Sequence, residues 1–354
     1  MKNDAFSRMK KLFYYFVKYT AKLASHCYFR EIKIYGLETL PKKGGVLFSP
    51  NHQGAFLDPL LVGCNIPKGV TSLTRSDVFG GPLQWFLDAL KMLPVYRIRN
   101  GYANLRKNDI IFEKCKKLLS ENQWIMMFSE ASHHSEYYLQ SLSKGSSRLA
   151  YEAQEMSKDP IYIVPVGINY GDHKNPYCDL HLVFGPPIAI SPYFEREEEK
   201  PAVINAIRDA LRVAMKKCIW LPENDEPYLT RKQLIHRGNT RLSFRDIKKG
   251  IEDLSLTPKK SKQVKKWQKG FMGLVSIPNL PPLLVLKRIL GLFEDIVFYS
   301  SIKMCAGLIL FPVWWITVFL CSQLWWDWEM GILLSACCVG LLYFRQLLSN
   351  KFLS

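Results

Sequence analysis

The sequence lacks the cysteine and histidine patterns of a disulfide-linked or zinc-binding protein. Its nine cysteines are an odd number, no two of them are spaced as C-x-x-C, and none stands at a metal-ligand spacing from a histidine. Neither a disulfide framework nor a zinc site is therefore indicated, and the expected compartment is a reducing one. Most of the cysteines lie in apolar runs, where we expect small core residues.

Acidic residues are few beside basic ones. The 354 residues carry 48 Lys and Arg against 31 Asp and Glu, which gives a formal net charge of +17. Such an excess predicts an anionic partner, which could be nucleic acid, an acidic membrane surface or a phosphorylated substrate. The hydrophobic content of 48% excludes a disordered protein, and the length suggests one or two domains.

The N-terminus does not indicate a cleaved signal peptide. The apolar stretch 12–17 ends at Lys18, and no small-residue cleavage site follows it. Residues 1–30 instead predict an amphipathic helix in which aromatic side chains such as Phe13 and Phe16 stand among lysines. Such a helix suits a membrane interface, and the same pattern also fits a helix packed on its own domain.

Residues 31–220 alternate between strand-like and helical runs. The predicted strands cover residues 31–35, 46–49, 70–73, 124–128, 161–168 and 181–184. The predicted helices cover residues 82–91, 103–119, 146–156 and 202–219. This alternation is typical of an α/β domain with a mixed, mostly buried sheet flanked by helices.

The last third of the chain predicts a membrane-proximal region and a transmembrane hairpin. Residues 221–300 are basic and partly helical, and they include the lysine run 259–269. Residues 304–326, in the tail 301–354, are uncharged and long enough to span a hydrocarbon core of about 30 Å, with tryptophans clustered at the far end. Residues 330–344 form a second apolar run of marginal length, which either crosses or forms the return limb of a shallow hairpin.

Charges around these runs predict an orientation. Basic residues precede the first run and follow the second, whereas the turn between them carries only acid; they are Lys287, Arg288, Lys303, Arg345 and Lys351. By the positive-inside rule, both ends of the hairpin and the α/β domain lie on the cytoplasmic face. Beside a membrane the lysine run would bind acidic headgroups. No nucleic-acid partner is predicted, because aromatic residues are not interleaved with the run beyond Trp267.

The stretch 49–59 places an imidazole and a carboxylate in one polar loop between a predicted strand and a predicted helix. His52 and Asp58 are six residues apart, so their contact needs a bend, because one continuous helix would put them on different faces. Gly54 supplies the conformational freedom, and Asp58 before Pro59 is expected at a helix N-cap. The pair suits a general base with its orienting partner. In the alternative, Asp58 only caps the helix and His52 only bonds within a turn.

Three further stretches combine strand ends with polar residues. Arg97 and Arg99 stand beside a glycine turn, where guanidinium groups can bind phosphate or simply line a solvated strand. Glu130 lies just beyond a buried strand, where it can bond substrate hydroxyls or hold an arginine. His133 and the histidine after it do not indicate a metal, because adjacent side chains rarely point at one ion. The proline within residues 164–166 favours a strand edge or a bulge.

Taken in order, these four stretches resemble the blocks of the glycerolipid acyltransferase superfamily, which includes glycerol-3-phosphate and 1-acylglycerol-3-phosphate O-acyltransferases. The N-H-x-x-x-x-D, arginine, F-P-E-G and V-P-V blocks stand here as Asn51-His52 with Asp58, residues 94–97, residues 128–131 and residues 164–166. The resemblance covers roughly residues 10–220. Two departures stand out: the histidine-to-aspartate spacing is one residue longer than the commonest form, and Ser129 and Ala131 replace the usual proline and glycine.

The resemblance implies a PlsC-like fold and transfer of a fatty acyl group from acyl-CoA or acyl carrier protein to a hydroxyl of a glycerol phosphate, most simply 1-acyl-sn-glycerol-3-phosphate. It implies that His52 is the base and Asp58 its orienting acid. It also implies that Arg97, with Arg99, holds the phosphate and that Glu130 fixes the glycerol or the arginine. The family needs no metal or prosthetic group, and its partners are membrane lipids and the acyl donor. The alternatives are glycerol 3-phosphate or another lipid as acceptor, and an inactive membrane-surface adaptor.

Overall fold

The computed structural model describes residues 2–82, 84–96, 102–130, 133–195, 198–258 and 264–353. In these ranges a mostly parallel sheet is flanked by helices, a long helix precedes it, and long apolar helices follow it. The predicted fold class, an α/β domain between an N-terminal helix and C-terminal apolar helices, is confirmed.

The described strands are β1 Glu31–Tyr35, β2 Gly45–Pro50, β3 Val70–Arg75, β4 Met92–Val95, β5 Trp124–Met126, β6 Ile161–Tyr170, β7 Asp179–Phe184 and β8 Ile188–Ala189. The described α-helices are α1 Lys2–Tyr28, α2 Leu57–Asn65, α3 Gln84–Ala89, α4 Tyr102–Ser120, α5 Gly145–Met156, α6 Lys200–Cys218, α7 Tyr228–Lys232, α8 Phe244–Glu252, α9 Lys266–Ser276, α10 Leu280–Leu290, α11 Val297–Ser322 and α12 Trp328–Leu353. The short strands β4 and β8 were not among the predicted strands.

The sheet brings four strand ends to one edge. Its order is β1-β7-β6-β2-β5-β3-β4, with β8 paired to β6. Strands β6, β2, β5, β3 and β4 are parallel to one another, whereas β7 and β1 run the opposite way. The carboxyl ends of β2, β3, β4 and β5 therefore meet at the same edge, where parallel sheets place their sites.

Strand β2 lies at the centre of the core. All six of its residues are buried, as expected for a strand covered on both faces. Val46 and Phe48 pack into the cluster on one face of the sheet, and Leu47 packs into the cluster on the other. This alternation follows from the period of two along a strand, and it fixes the point at which the chain leaves the sheet after Pro50.

The proline of the V-P-V block does not mark an outer strand. Pro165 lies within β6, which is an inner strand between β2 and β7. On the β7 side, β6 pairs with β8 through residues 162–163 and with β7 through residues 166–170. Pro165 lies between these two paired segments, opposite the residues that connect β7 to β8. Its carbonyl accepts a hydrogen bond from Gly185 N at 2.9 Å, and its missing N–H costs no ladder bond.

Helix α1 has a docked face and an exposed apolar face. On the docked side, the Nζ of Lys18 donates to the carbonyls of Ile66 and Lys68 at 2.7 and 3.0 Å, which closes the end of α2. On the other side, large apolar side chains recur at helical spacing and are exposed: Met9, Leu12, Phe16, Tyr19 and Leu23. Packing on the domain is confirmed for the docked face, whereas the interface location suits the exposed apolar face and remains a prediction.

The C-terminal apolar region is larger than the predicted hairpin. Within the described residues, three helical segments are long and apolar enough to cross a membrane: Lys266–Leu290, Val297–Ser322 and Trp328–Ser349. The second apolar run, expected to be marginal, belongs to a helix long enough to span. The first segment lies in the region predicted to be only partly helical.

Helices α9 and α10 form a bent pair and not a straight span. At the bend, Asn279 accepts from Trp315 Nε1 at 3.0 Å and donates to the carbonyl of Cys338 at 2.7 Å. Trp315 lies about 27 Å along α11 from Val297, and residues 291–296 can bridge only about 24 Å. If α10 continued in the direction of α9, its length would add to the distance of about 27 Å, and its end would lie about 43 Å from Val297. It therefore runs back towards the start of α11.

Candidate active site

His52 follows the central strand β2 and contacts the acid predicted for it. Its Nδ1 lies 2.8 Å from Asp58 Oδ2, and Asp58 is fully buried. A carboxylate only accepts hydrogen bonds, so this contact assigns the ring hydrogen to Nδ1 and leaves Nε2 with its lone pair. The imidazole is 15% exposed. The predicted contact is confirmed, and the free ring nitrogen has the form that a general base requires.

Asp58 is held by four hydrogen bonds. Besides the ring, its Oδ2 accepts from Gln53 N at 2.8 Å and Gly54 N at 2.7 Å, and its Oδ1 accepts from Tyr170 Oη at 2.6 Å. A buried carboxylate needs such partners to offset its lost hydration. Burial and the Asp58 carboxylate raise the pKa of Tyr170 well above its ordinary range, so the phenol remains a donor.

The expectation that Asp58 caps the following helix is wrong. Helix α2 begins at Leu57, with Phe56 at the N-cap, so Asp58 lies inside the first turn. The amides that it binds belong to the loop before the helix, at Gln53 and Gly54. The carboxylate therefore holds the catalytic loop, defined here as residues 51–58, in its bend.

The bend is made by Ala55 and not by the glycine beside it. Ala55 has a φ of 47°, and Leu57 N closes the turn by donating to Gly54 O at 2.9 Å. Gly54 is needed for a close approach, because a Cβ there would lie 2.5 Å from Tyr170 Oη and 2.7 Å from Asp58 Oδ1. The expectation that Gly54 supplies the conformational freedom of the bend is therefore wrong. Gly54 is needed because there is no room for a side chain at this position.

The contacts of Glu130 differ from those expected of a substrate ligand. Its Oε2 accepts from the amide of His52 at 2.7 Å, and its Oε1 accepts from the amide of Gln140 at 2.9 Å. The residue is 5% exposed. Glu130 therefore holds the backbone of His52. Its predicted role toward glycerol or arginine remains a prediction.

Aromatic side chains surround the ring of His52. Phe128 stacks on it with centroids 4.1 Å apart, and His133 stands perpendicular to it at 5.5 Å. His133 Nε2 lies 3.4 Å from Asp295 Oδ2, in the link before α11. Burial, followed by the positive charge of a protonated His52, lowers the pKa of His133, which favours a neutral neighbour for the base.

The serine that replaces the usual proline in the third block is a structural residue. Ser129 Oγ lies 2.6 Å from Ser49 Oγ and 2.7 Å from Ser146 Oγ, and all three residues are fully buried. The chain of hydroxyls joins the end of β2 to the start of α5. The replacement therefore leaves Glu130 in register beside His52. Ala131, the other replacement, lies outside the described residues.

Arg97 and Arg99 also lie outside the described residues, so their predicted contact with phosphate remains a prediction. Strand β4, which precedes them, ends at Val95, opposite Arg75 at the end of β3. Arg75 carries a guanidinium at this edge, where its Nε donates to Asp77 Oδ1 at 3.0 Å. Arg75 was not among the predicted site residues, although it follows the predicted strand 70–73 by two residues.

Within the described ranges, no group of three or more His, Cys, Asp and Glu residues could hold a metal ion. The two adjacent histidines have different surroundings: His133 lies against His52, and His134 stacks on Tyr138 with centroids 5.7 Å apart.

Comparison with known proteins relates part of the chain to acyltransferases. Residues 31–169 match the family model described as Acyltransferase. No curated protein sequence matches the chain. Among solved structures, the 1-acyl-sn-glycerophosphate acyltransferase PlsC of Thermotoga maritima is similar at 15% identity, with 60% of this chain and 81% of that chain covered and a TM-score of 0.44.

The matched segment contains the catalytic loop, Glu130 and the strands that carry them. Residues 31–169 therefore form a domain of the acyltransferase family. The resemblance to the glycerolipid acyltransferase superfamily, inferred from the four blocks, is confirmed by this match. The match ends just before Tyr170, the residue that completes the hydrogen bonding of Asp58.

Proposed function

We propose that the protein is a membrane-bound 1-acyl-sn-glycerol-3-phosphate O-acyltransferase of phospholipid biosynthesis. Its donor would be acyl-CoA or acyl carrier protein. The observation that carries the proposal is the 2.8 Å contact between His52 Nδ1 and the buried Asp58, which leaves Nε2 free to accept a proton. The acyltransferase match over residues 31–169 supports the reaction class.

In the proposed reaction, His52 Nε2 removes the proton of the acceptor hydroxyl as the oxygen attacks the thioester carbonyl. The carbon–oxygen ester bond forms, the carbon–sulfur bond breaks, and the thiolate leaves with the proton returned by the imidazolium. Asp58 holds the ring and stabilises its positive charge, as an orienting acid does in a hydrolytic triad. The acyl group moves directly between donor and acceptor, so no acyl-enzyme is needed.

The acceptor phosphate is assigned to Arg97 and Arg99. Guanidinium groups bind phosphate oxygens in a bidentate manner, and these arginines follow β4, whose carboxyl end shares an edge with that of β2. A charged headgroup bound there would orient the free glycerol hydroxyl toward the imidazole. Arg75, at the end of the neighbouring strand, is a further cation at this edge.

The membrane setting follows from the solubility of the two substrates. The acceptor dissolves in the bilayer and the activated donor in water, so the reaction belongs at the interface. Three long apolar helical segments and the exposed apolar face of α1 would hold the domain there. The basic residues Lys287, Arg288 and Lys303 favour the cytoplasmic side for the domain.

The test is acyl transfer by the purified full-length protein in nanodiscs. It compares acyl-CoA with acyl carrier protein as donor, and 1-acylglycerol 3-phosphate with glycerol 3-phosphate as acceptor. We expect transfer to the monoacylated acceptor and a loss of at least about a thousandfold in kcat for His52→Ala. His26→Ala, a change at an exposed histidine of α1, should keep wild-type activity.

Three outcomes would overturn the proposal. A wild-type protein that binds vesicles but transfers acyl groups to neither acceptor would point to the adaptor alternative. Activity on glycerol 3-phosphate alone would move the assignment to the first acylation. A His52→Ala variant with wild-type turnover would remove the imidazole from the mechanism.

A further inference from the structure

The geometry points to Ser301, on the long apolar helix α11, as a positioning residue of the active site. It lies well outside the segment that matches the acyltransferase family. The inference rests on the proposed function, because it names a residue that holds the catalytic loop in its working shape. Through Ser301, the first turns of a membrane-type helix form part of the catalytic centre.

Ser301 bridges the two ends of the bend in the catalytic loop. Its Oγ donates to the carbonyl of Gly54 at 2.6 Å and accepts from the amide of Leu57 at 3.1 Å. The side chain is fully buried, so water does not compete for these groups. Leu57 N and Gly54 O already bond to each other at 2.9 Å, and the hydroxyl adds a second acceptor for the amide and a donor for the carbonyl.

The bend needs this support because it contains a strained residue. Ala55 lies between the two bridged peptides and has a φ of 47°, a conformation that costs free energy in a residue with a Cβ. The residue before the bend, Gly54, also binds the acid of the His52–Asp58 pair. Gly54 N donates to Asp58 Oδ2 at 2.7 Å, and Asp58 Oδ2 holds the ring of His52 at 2.8 Å.

The start of α11 is fixed to the domain by contacts that do not involve Ser301. Ser300 Oγ donates to the carbonyl of His173 at 2.5 Å, and Met304 is part of the core cluster beneath the sheet. The ring of Phe298 lies 6.0 Å from that of Phe56 and 5.2 Å from that of His133. Loss of the Ser301 hydroxyl should therefore loosen the loop while the helix stays docked.

Two neighbouring serines of α11 provide a matched pair of variants. Ser301→Ala removes both hydrogen bonds to the catalytic loop. Ser300→Ala removes a docking bond of the same helix to a loop after β6, and it leaves residues 51–58 untouched. Both changes remove one hydroxyl from a buried serine, so differences between them report on the catalytic loop.

The experiment uses the full-length protein in nanodiscs and measures kcat, KM and amide hydrogen exchange. For Ser301→Ala we expect a fall in kcat of about tenfold with KM for both substrates within about twofold, and faster exchange in peptides covering residues 52–58. For Ser300→Ala we expect kcat and loop exchange close to wild type. If Ser301→Ala does not fold, Ser301→Cys replaces it, because the thiol keeps the size and weakens the donor.

Wild-type kcat and unchanged loop exchange in the Ser301 variant would overturn the inference, and so would a change in KM alone. Equal losses in the two serine variants would reduce the role of Ser301 to docking of the helix. The proposed function is judged separately, by turnover of the wild-type protein in the same assay. If the wild type shows no turnover, the exchange rates alone decide whether Ser301 holds the loop.

Discussion

Asp58 and Glu130 are two buried acids at the same edge of the sheet, yet they hold different parts of the site. Asp58 binds the imidazole ring directly and also two amides and a phenol. Glu130 accepts from two amides, one of them that of His52 itself, and its Oε1 lies 3.6 Å from His134 Nε2. Both acids are buried and both lie close to His52, so they differ in the part of His52 that each one binds. Asp58 binds the ring, and Glu130 binds the backbone amide.

The largest effect should come from Asp58→Asn. The amide group would face His52 Nδ1 with a donor and favour the wrong ring tautomer, so we expect kcat to fall by about a thousandfold or more with little change in KM. Steady-state kinetics measures the effect. Asp209→Asn, at an exposed ion pair of α6, is the control. A variant that retains a tenth of wild-type kcat would remove the distinction between the two acids.

A smaller effect is expected for Glu130→Gln. The change keeps one acceptor oxygen and turns an amide nitrogen toward a backbone N–H, which leaves a buried donor unpaired at a cost of about 1–3 kcal/mol in unfolding free energy. We expect a lower melting temperature and a fall in kcat of about tenfold, because the ring stays paired with Asp58. A loss as large as that of Asp58→Asn would mean that Glu130 acts on the chemistry itself.

Tyr170→Phe should sharpen the comparison from the other side of Asp58. It removes one donor to Oδ1 and leaves the bond to the ring in place. Loss of one hydrogen bond to a charged group predicts about 1.5–3 kcal/mol less stability, with a reduction of kcat of a few-fold. Denaturant unfolding and kinetics measure the two quantities. Tyr35→Phe, whose hydroxyl accepts from Phe244 N on the far side of the sheet, should leave kcat unchanged.

The smallest effect is on the pH dependence of stability and involves neither acid. Burial lowers the pKa of His181, on β7, from its ordinary value near 6.5 to about 4. Between these values the unfolded chain binds a proton that the folded chain does not. This residue therefore contributes a loss of stability as pH falls from 6.5 to 4, by at most about 1.4 kcal/mol per pH unit.

His181→Gln should flatten that part of the stability curve. Unfolding free energies measured between pH 4.5 and 7 would give the slope, with His26→Gln at the exposed surface of α1 as the control. An unchanged slope in the His181 variant would mean that other groups carry the acid sensitivity.

The local sequence pattern predicted most strands and helices of the domain. It failed for elements that are very short or that contain proline. Strand β1 has the predicted bounds, because its alternation and flanking turn are local signals. Strand β4 is only four residues long and contains Pro94, which is tolerated because β4 is an outer strand. Helix α10 begins at Leu280 and has Pro281 and Pro282 in its first turn, where proline is well accommodated, although prolines otherwise suggest a break.

The site divides in the same way. The pairing of His52 with Asp58 could be predicted, because both residues lie in one short loop after a strand. Tyr170 and Ser301 could not be found by spacing, since they reach the loop from 112 and 244 residues further along the chain. One sequence feature pointed to Tyr170, because it is the last residue of the strand that contains the V-P-V block. No sequence feature pointed to Ser301, because a serine in an apolar helix has no distinctive pattern.

The bend at Asn279 sets how the apolar helices would occupy a bilayer. Because α9 and α10 enter and leave on the same side, they would add volume to one leaflet and leave the opposite leaflet to α11 and α12. Such an asymmetric wedge is relieved in a membrane that curves toward the inserted side, where headgroups are spread apart. We therefore expect the protein to partition into small vesicles in preference to large ones of the same lipid.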